Sequence, residues 1–255
     1  MKWTKEQEKK VIKLRKKNIT YKEIAKKLNR TISSVKHKYR RLKQATNENK
    51  YHHPIEKTKQ VHKILNKDKL YSILETNAGW GNLTKVYVEY GNVIAQDIKQ
   101  DRINYLKENV KNDNKFVTIK CDSFKKIHNY IYEGVSWDVI DLDPYGYPSR
   151  YFPHILKLIK DGYLFMTIPK LGVQQINKIT KAHLEVFWDF RHGKDNNDDY
   201  LNIVTTKLEK YALGYKRKLL ILDILELDRV FRLACRVEKK SMLELVDLTV
   251  TGIND

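Results

Sequence analysis

The chain has 255 residues, 41% hydrophobic and 11% aromatic, so it can bury a core and is neither collagen-like nor disordered. No apolar run reaches the roughly 18 residues of a membrane-spanning helix, the charged N-terminus has no secretory apolar region behind it, and Cys121 and Cys235 are too few for a disulfide framework or a Cys-rich zinc site. Residues 1–50 hold 18 of the 50 Lys and Arg but only 4 of the 31 Asp and Glu, a local excess that suits a polyanionic partner, nucleic acid first.

In chain order, the first predicted elements are three helices. Thr4-Lys5-Glu6-Gln7 and Thr20-Tyr21-Lys22-Glu23 fit the capping box and open two of them. The first runs to about Lys17 with Val11 and Leu14 inward; the second carries Ile24, Ala25 and Leu28. A short turn, Asn29-Arg30-Thr31, leads to a third, whose inner stripe is Ile32, Val35, Tyr39 and Leu42. Its other face shows Ser33, Ser34, Lys36, His37, Arg40 and Arg41, side chains suited to phosphates and base edges. The opening Trp3-Thr4-Lys5-Glu6-Gln7 and the run from Ile24 to Val35 resemble a helix-turn-helix of the Myb-like or homeodomain-like kind, which implies a reader of duplex DNA. The expected division is a helix-turn-helix domain at 1–45, a linker at 46–55 that contains Pro54, and a larger domain at 56–255.

From residue 56 helices and strands alternate. Strands are expected near 70–74, 92–96, 116–120, 137–142 and 163–168, with helices near 56–66, 82–89, 99–111, 123–132 and 149–160. This predicts an α/β fold with a parallel sheet and a site at the carboxyl ends of its strands. Lys216–Leu227 and Arg229–Val237 read as a closing antiparallel hairpin. A mostly parallel sheet ending in a hairpin resembles the Rossmann-like methyltransferases.

The first strand ends in Glu75-Thr76-Asn77-Ala78-Gly79-Trp80-Gly81-Asn82-Leu83-Thr84. Gly79 and Gly81 allow a tight turn and a close approach of backbone to ligand. The stretch resembles motif I of S-adenosylmethionine-dependent methyltransferases, with Asn77 and Ala78 where the rRNA adenine dimethylase pattern has Gly and Pro. That resemblance makes S-adenosylmethionine the expected cofactor. It implies that Asp97, after the second strand, accepts the ribose hydroxyls and that Asp122, after the third, accepts the adenine amino group. Glu75, Asn77, Gly79, Gly81, Asp97, Asp122 and Asp141 form the expected cofactor set.

The fourth strand runs into Asp141-Leu142-Asp143-Pro144-Tyr145-Gly146-Tyr147-Pro148-Ser149. Amino-group methyltransferases place an acid or amide, a proline and an aromatic here. Asp143 and the Pro144 carbonyl would orient an exocyclic amine and Tyr145 would stack on the base. The Asp-Pro-Tyr-Gly form resembles the tRNA guanine-N2 dimethyltransferase family. Ser149-Arg150-Tyr151-Phe152 and the run from Asp228 to Val237 extend that resemblance over about residues 70–238, with Tyr147 where the family has Ser. Asp143, Pro144 and Tyr145 are therefore the expected catalytic residues.

The expected activity is methyl transfer to an exocyclic amine of a nucleic-acid base. The charge split and the three helices favour DNA, whereas the Asp-Pro-Tyr-Gly form favours tRNA guanine N2. A DNA-binding regulator with an inactive methyltransferase domain is the competing class. No metal and no membrane partner are expected, the location reads as cytoplasmic, and the oligomeric state stays open. Trp188-Asp189-Phe190-Arg191-His192-Gly193-Lys194 is read as either a substrate loop or an inert insertion, and His128, His154 and His183 as packing or surface residues.

Overall fold

A computed structural model of the chain describes residues 3–110, 114–171, 184–188, 190 and 199–240. Its contacts divide into two compact units, Met1–Pro54 and Ile55–Asp255.

The first unit holds α1 (Lys5–Lys16), α2 (Tyr21–Leu28) and α3 (Ile32–Tyr51). Both capping boxes form: Gln7 N–H donates to Thr4 Oγ1 at 3.2 Å, and Glu23 N–H to Thr20 Oγ1 at 3.3 Å while Glu23 Oε2 takes the Thr20 N–H at 2.9 Å. Asn29 ends α2 in the left-handed region (φ +48°) and sets the turn before α3. Val11, Ile24, Ala25, Leu28 and Val35 make the core.

Two sequence expectations change here. Ile32, at the first helical position of α3, is half exposed, and Lys38 joins the inner stripe instead. Lys38 is 7% exposed and pairs with Glu8 at 2.6 Å. The expected linker is also mostly helix, because α3 continues to Tyr51. Residues 44–51 contain neither Gly nor Pro, so nothing stops the helix until Pro54 disfavours helical backbone at the residue before it. His53 there has φ +46°.

The second unit contains α4 (Pro54–Ile64), β1 (Tyr71–Glu75), α5 (Thr84–Tyr87), β2 (Gly91–Asp97), α6 (Gln100–Asn109), β3 (Phe116–Lys120), α7 (Ser123–Tyr132), β4 (Trp137–Leu142), α8 (Phe152–Leu158) and β5 (Ile159–Pro169). After these come a short helix α9 at 184–188, α10 (Tyr200–Gly214), β6 (Arg217–Glu226) and β7 (Val230–Lys239). The seven strands are ordered β3-β2-β1-β4-β5-β7-β6. The first five are parallel; β7 lies antiparallel between β5 and β6. This is the expected Rossmann-like methyltransferase sheet closed by a hairpin. β5 starts at Ile159, earlier than its apolar run suggests, with a register shift opposite Trp137 and Val139.

Apolar residues cover both faces of the sheet, as a parallel sheet requires. Val61, Leu65, Leu83, Val86, Ile103 and Leu106 pack on one face. Ile127, Phe152, Ile155, Leu184, Trp188, Val204 and Leu208 pack on the other. Trp188 and Phe190 thus belong to the core, while Asp189, Arg191, His192, Gly193, Lys194 and His183 lie outside the described residues. His128 is exposed and its ring centre is 4.4 Å from that of His154, a surface pair in α7 and α8. Among the described residues no helix is long and apolar enough to cross a membrane.

Candidate active site

The carboxyl ends of β1, β2, β3 and β4 gather the predicted residues on one rim of the sheet. Backbone bonds lock the loops together: Thr76 N–H donates to the Asp141 carbonyl at 3.0 Å, Ala78 N–H to Gln96 at 2.8 Å and Cys121 N–H to Asp97 at 3.1 Å. The Ser123 hydroxyl adds a bond to the Thr76 carbonyl at 2.9 Å.

The two glycines of the first loop do different things. Both have left-handed backbone, φ +56° at Gly79 and +70° at Gly81. A Cβ on Gly81 would stand 2.2 Å from Leu106 Cδ2, so Gly81 serves helix packing. A Cβ on Gly79 would meet only the Asn77 carbonyl, at 3.9 Å. Gly79 is therefore where another molecule can approach the backbone. Asn77, half-buried beside it, accepts from the Thr76 hydroxyl at 3.1 Å.

The acids also separate. Asp97 is buried and takes Gly79 N–H at 3.1 Å, Lys99 N–H at 2.8 Å and Arg102 Nη1 at 3.2 Å. Asp122 is half-buried and caps α7, accepting Phe124 N–H at 3.0 Å. Glu75 is buried and receives the Thr84 hydroxyl at 2.5 Å. Burial first, and then the charge of Asp141, push its carboxyl well above the usual carboxylate range.

Asp141 is set apart from the other acids by its partners. It is 1% exposed and bound bidentately by the fully buried Arg232, at 3.1 Å and 2.8 Å, and it accepts the Tyr87 hydroxyl at 2.6 Å. Its carboxylate braces β4 against β7 across β5, with both oxygens engaged by those partners. Burial and Asp141 push the Tyr87 hydroxyl well up, keeping it a donor.

Beyond β4, Asp143 is half-buried and forms an ion pair with Lys57 Nζ at 2.5 Å. Pro144 is buried behind it. Tyr145 is 69% exposed, and its hydroxyl takes a hydrogen bond from Arg102 Nη2 at 2.7 Å. Arg102 thus joins Asp97 to Tyr145, linking the end of β2 to the loop after β4.

Lys57, Arg102 and Arg232 were not singled out from the sequence. Arg232 does leave a signal: a cation inside the apolar run Val230–Val237 must have a buried partner. Lys57 leaves none, since it is one of several lysines on a helix. On the first unit, Ser33, Lys36, His37 and Arg40 are exposed and Ser34 and Arg41 half-buried. Thr31, Ser33, Ser34, His37, Lys38 and Arg41, with Trp3, line an open cleft of about 390 Å³.

The chain is 27% identical over 156 residues to tRNA (guanine(26)-N(2))-dimethyltransferase 1 of Arabidopsis thaliana, an alignment covering 58% of this chain and 25% of that protein. Its fold is similar to that of Trm1 from Pyrococcus horikoshii, solved with S-adenosyl-L-methionine, at a TM-score of 0.54 and 17% identity over 70% of this chain and 53% of that one. The chain therefore spans a quarter of the curated relative and about half of the solved one. The family model for N2,N2-dimethylguanosine tRNA methyltransferases matches residues 3–243, and the chain belongs to that family.

Proposed function

We propose that this chain transfers a methyl group from S-adenosylmethionine to the exocyclic N2 amine of a guanine in tRNA. The observation that carries the reading is the Asp143-Pro144-Tyr145-Gly146 loop, set at the carboxyl end of β4 in a chain of this family. tRNA takes the place of the duplex DNA favoured by the charge split, because the family match spans the basic first unit as well as the sheet. The first unit, with the 1–45 helix-turn-helix boundary read from sequence, is then a tRNA-binding element. Ser33, Ser34, Lys36, His37, Arg40 and Arg41 would meet phosphates. The two cysteines are free thiols, in keeping with a reducing, cytoplasmic setting.

Asn77, Gly79, Asp97 and Asp122 fit the cofactor: they lie at successive strand ends and the backbone at Gly79 is open to a ligand. Glu75 and Gly81 shape the loop from behind, through Thr84 and Leu106. When bound there, S-adenosylmethionine would supply an electrophilic sulfonium methyl, with its thioether sulfur as the leaving group. Asp143 accepts a hydrogen bond from the amine, aims its lone pair and receives the proton released by methylation. Pro144 fixes the turn so that its carbonyl can accept the other amine hydrogen. Tyr145 offers an exposed ring, and base–aromatic stacking contributes about 1–3 kcal/mol. The nitrogen lone pair is delocalised into the base, so positioning supplies more of the rate than basicity.

Methyl-labelled cofactor incubated with tRNA, other RNA and DNA pools, followed by nucleoside analysis, tests this reading. N2-methylated guanosine from tRNA is expected. Asp143→Ala should abolish its formation while calorimetry shows cofactor affinity largely kept. Normal methylation by Asp143→Ala, or label on a pyrimidine C5, would sink the mechanism.

A further inference from the structure

Lys57 and Lys38 are the two buried lysines among the described residues. Lys57 is 3% exposed, and an ammonium gives up strong hydration to sit there. Packing alone would be better served by Met or Leu, so a lysine in this place needs a fixed anion. The anion is Asp143, 2.5 Å away.

Helix α4 is anchored so that Lys57 arrives at this spot. Val61 and Leu65 pack onto the sheet face. One helical turn from Lys57, Gln60 Nε2 donates to Asp223 Oδ2 at 3.0 Å and to the Arg232 carbonyl at 3.2 Å. Lys63 pairs with the same Asp223. These bonds tie α4 to both strands of the closing hairpin, leaving little freedom for Lys57 to drift along β4.

The charges near Asp143 give the pair its meaning. Glu75, Asp141 and Arg232 are buried ionisable groups beside it, and the buried Arg102 is bound to Asp97 and Tyr145. Arg232 is bound bidentately to Asp141. Burial, then Asp141, drive Glu75 toward its neutral form. Lys57 is the cation seated directly on the Asp143 carboxylate.

We infer that Lys57 is a positioning residue for methyl transfer: from α4 it clamps the Asp143 carboxylate and fixes the rotation at which the base's amine meets it. This rests on the role given to Asp143 above. In this role Lys57 acts through Asp143. An aromatic amine reacts only when its lone pair faces the methyl carbon, and a misplacement of about 1 Å can cost about 100-fold in rate. A carboxylate that loses this ion pair is held less firmly about its Cβ–Cγ bond and is aimed less well.

The test compares Lys57→Met, Lys57→Arg and Asp143→Asn in the full chain, with labelled S-adenosylmethionine and unmodified tRNA transcripts. Lys57→Met should lower kcat about 10- to 100-fold, with tRNA KM and cofactor Kd within about threefold of the wild type. Lys57→Arg should recover most of that loss. Adding Lys57→Met to Asp143→Asn should cost nothing further, since the clamped group is already gone. A wild-type kcat in Lys57→Met, a matching loss of cofactor affinity, or Arg as inactive as Met would each overturn the inference. If Lys57→Met does not fold, Lys57→Gln replaces it under the same criteria. A wild type that methylates a different base overturns the guanine reading, and the Lys57 comparison then runs on that base. A wild type that methylates no nucleic acid overturns both.

Discussion

Replacing Arg232 with Met would break the strongest electrostatic contact under the site. The guanidinium is fully buried and donates Nη1 and Nη2 to the two Asp141 oxygens at 3.1 Å and 2.8 Å. Nη2 also reaches the Tyr87 hydroxyl at 3.4 Å, and Nη1 the Thr167 hydroxyl at 3.4 Å. Burial works against the charged guanidinium, but Asp141 and Tyr87 outweigh it and hold it cationic. Met fills most of the volume but leaves Asp141, 1% exposed, with Tyr87 as its main donor. Breaking a buried pair from one side costs about 3–5 kcal/mol. For a unit of this size each kcal/mol lowers Tm by about 2–4 °C, so a fall of roughly 6–20 °C follows. Urea unfolding followed by tryptophan fluorescence, with Trp80 and Trp137 buried in the sheet domain, is the assay. Adding Asp141→Asn removes the stranded charge and should restore about 2 kcal/mol. A single-variant loss below about 1 kcal/mol, or strictly additive losses in the double variant, would refute this account of the pair.

Glu75→Gln should act in the opposite sense. The folded-state Glu75 value is raised, so as pH climbs above the unfolded value of about 4.3 the unfolded chain releases a proton that the folded chain keeps. Stability is therefore lost progressively as pH rises toward the folded value, and Gln should remove that slope; unchanged pH dependence of the urea midpoint between pH 4.5 and 8 would contradict it. On the first unit, replacing Arg40 and Arg41 with Ala should reduce the salt slope of tRNA binding by about 1–2. An unaltered slope would remove these residues from the RNA interface.

Most of the fold was legible because its signals are local and repeated. Short apolar runs separated by turns, and capping boxes at Thr4 and Thr20, are written within a few residues of where they act. The failures share a cause. The helix through residues 46–51 leaves no signal because a stretch without an apolar stripe gives no period, although no residue in it breaks a helix. Lys38 carries no sign of its place in the inner stripe, because a long stem can be buried while its charge is paired, here with Glu8 30 positions away. Lys57 and Asp143 are 86 positions apart, and Asp141 and Arg232 are 91. No spacing rule reaches that far, so a sequence motif can mark the acid without marking its cation.

That asymmetry explains why the acids of the rim looked alike in sequence and differ in the fold. Each of Glu75, Asp97, Asp122, Asp141 and Asp143 lies at or just past a strand end, where a motif would place a ligand-binding carboxylate. What distinguishes them is the company supplied by distant elements. Arg232 from β7 occupies Asp141, and burial with the charge of Asp141 holds Glu75 toward neutrality against the hydrogen bond from Thr84. Helix α7 uses Asp122 as its cap while leaving it half-buried, and Arg102 from α6 covers Asp97 while also reaching Tyr145. Asp143 keeps about a quarter of its side chain accessible while its cation lies almost wholly inside. A carboxylate clamped from the protein side and open on the other can be rigid and still meet an incoming amine. Among the acids of this rim Asp143 combines those two properties, and for that reason the proposed chemistry falls to it and not to Glu75, Asp97 or Asp141.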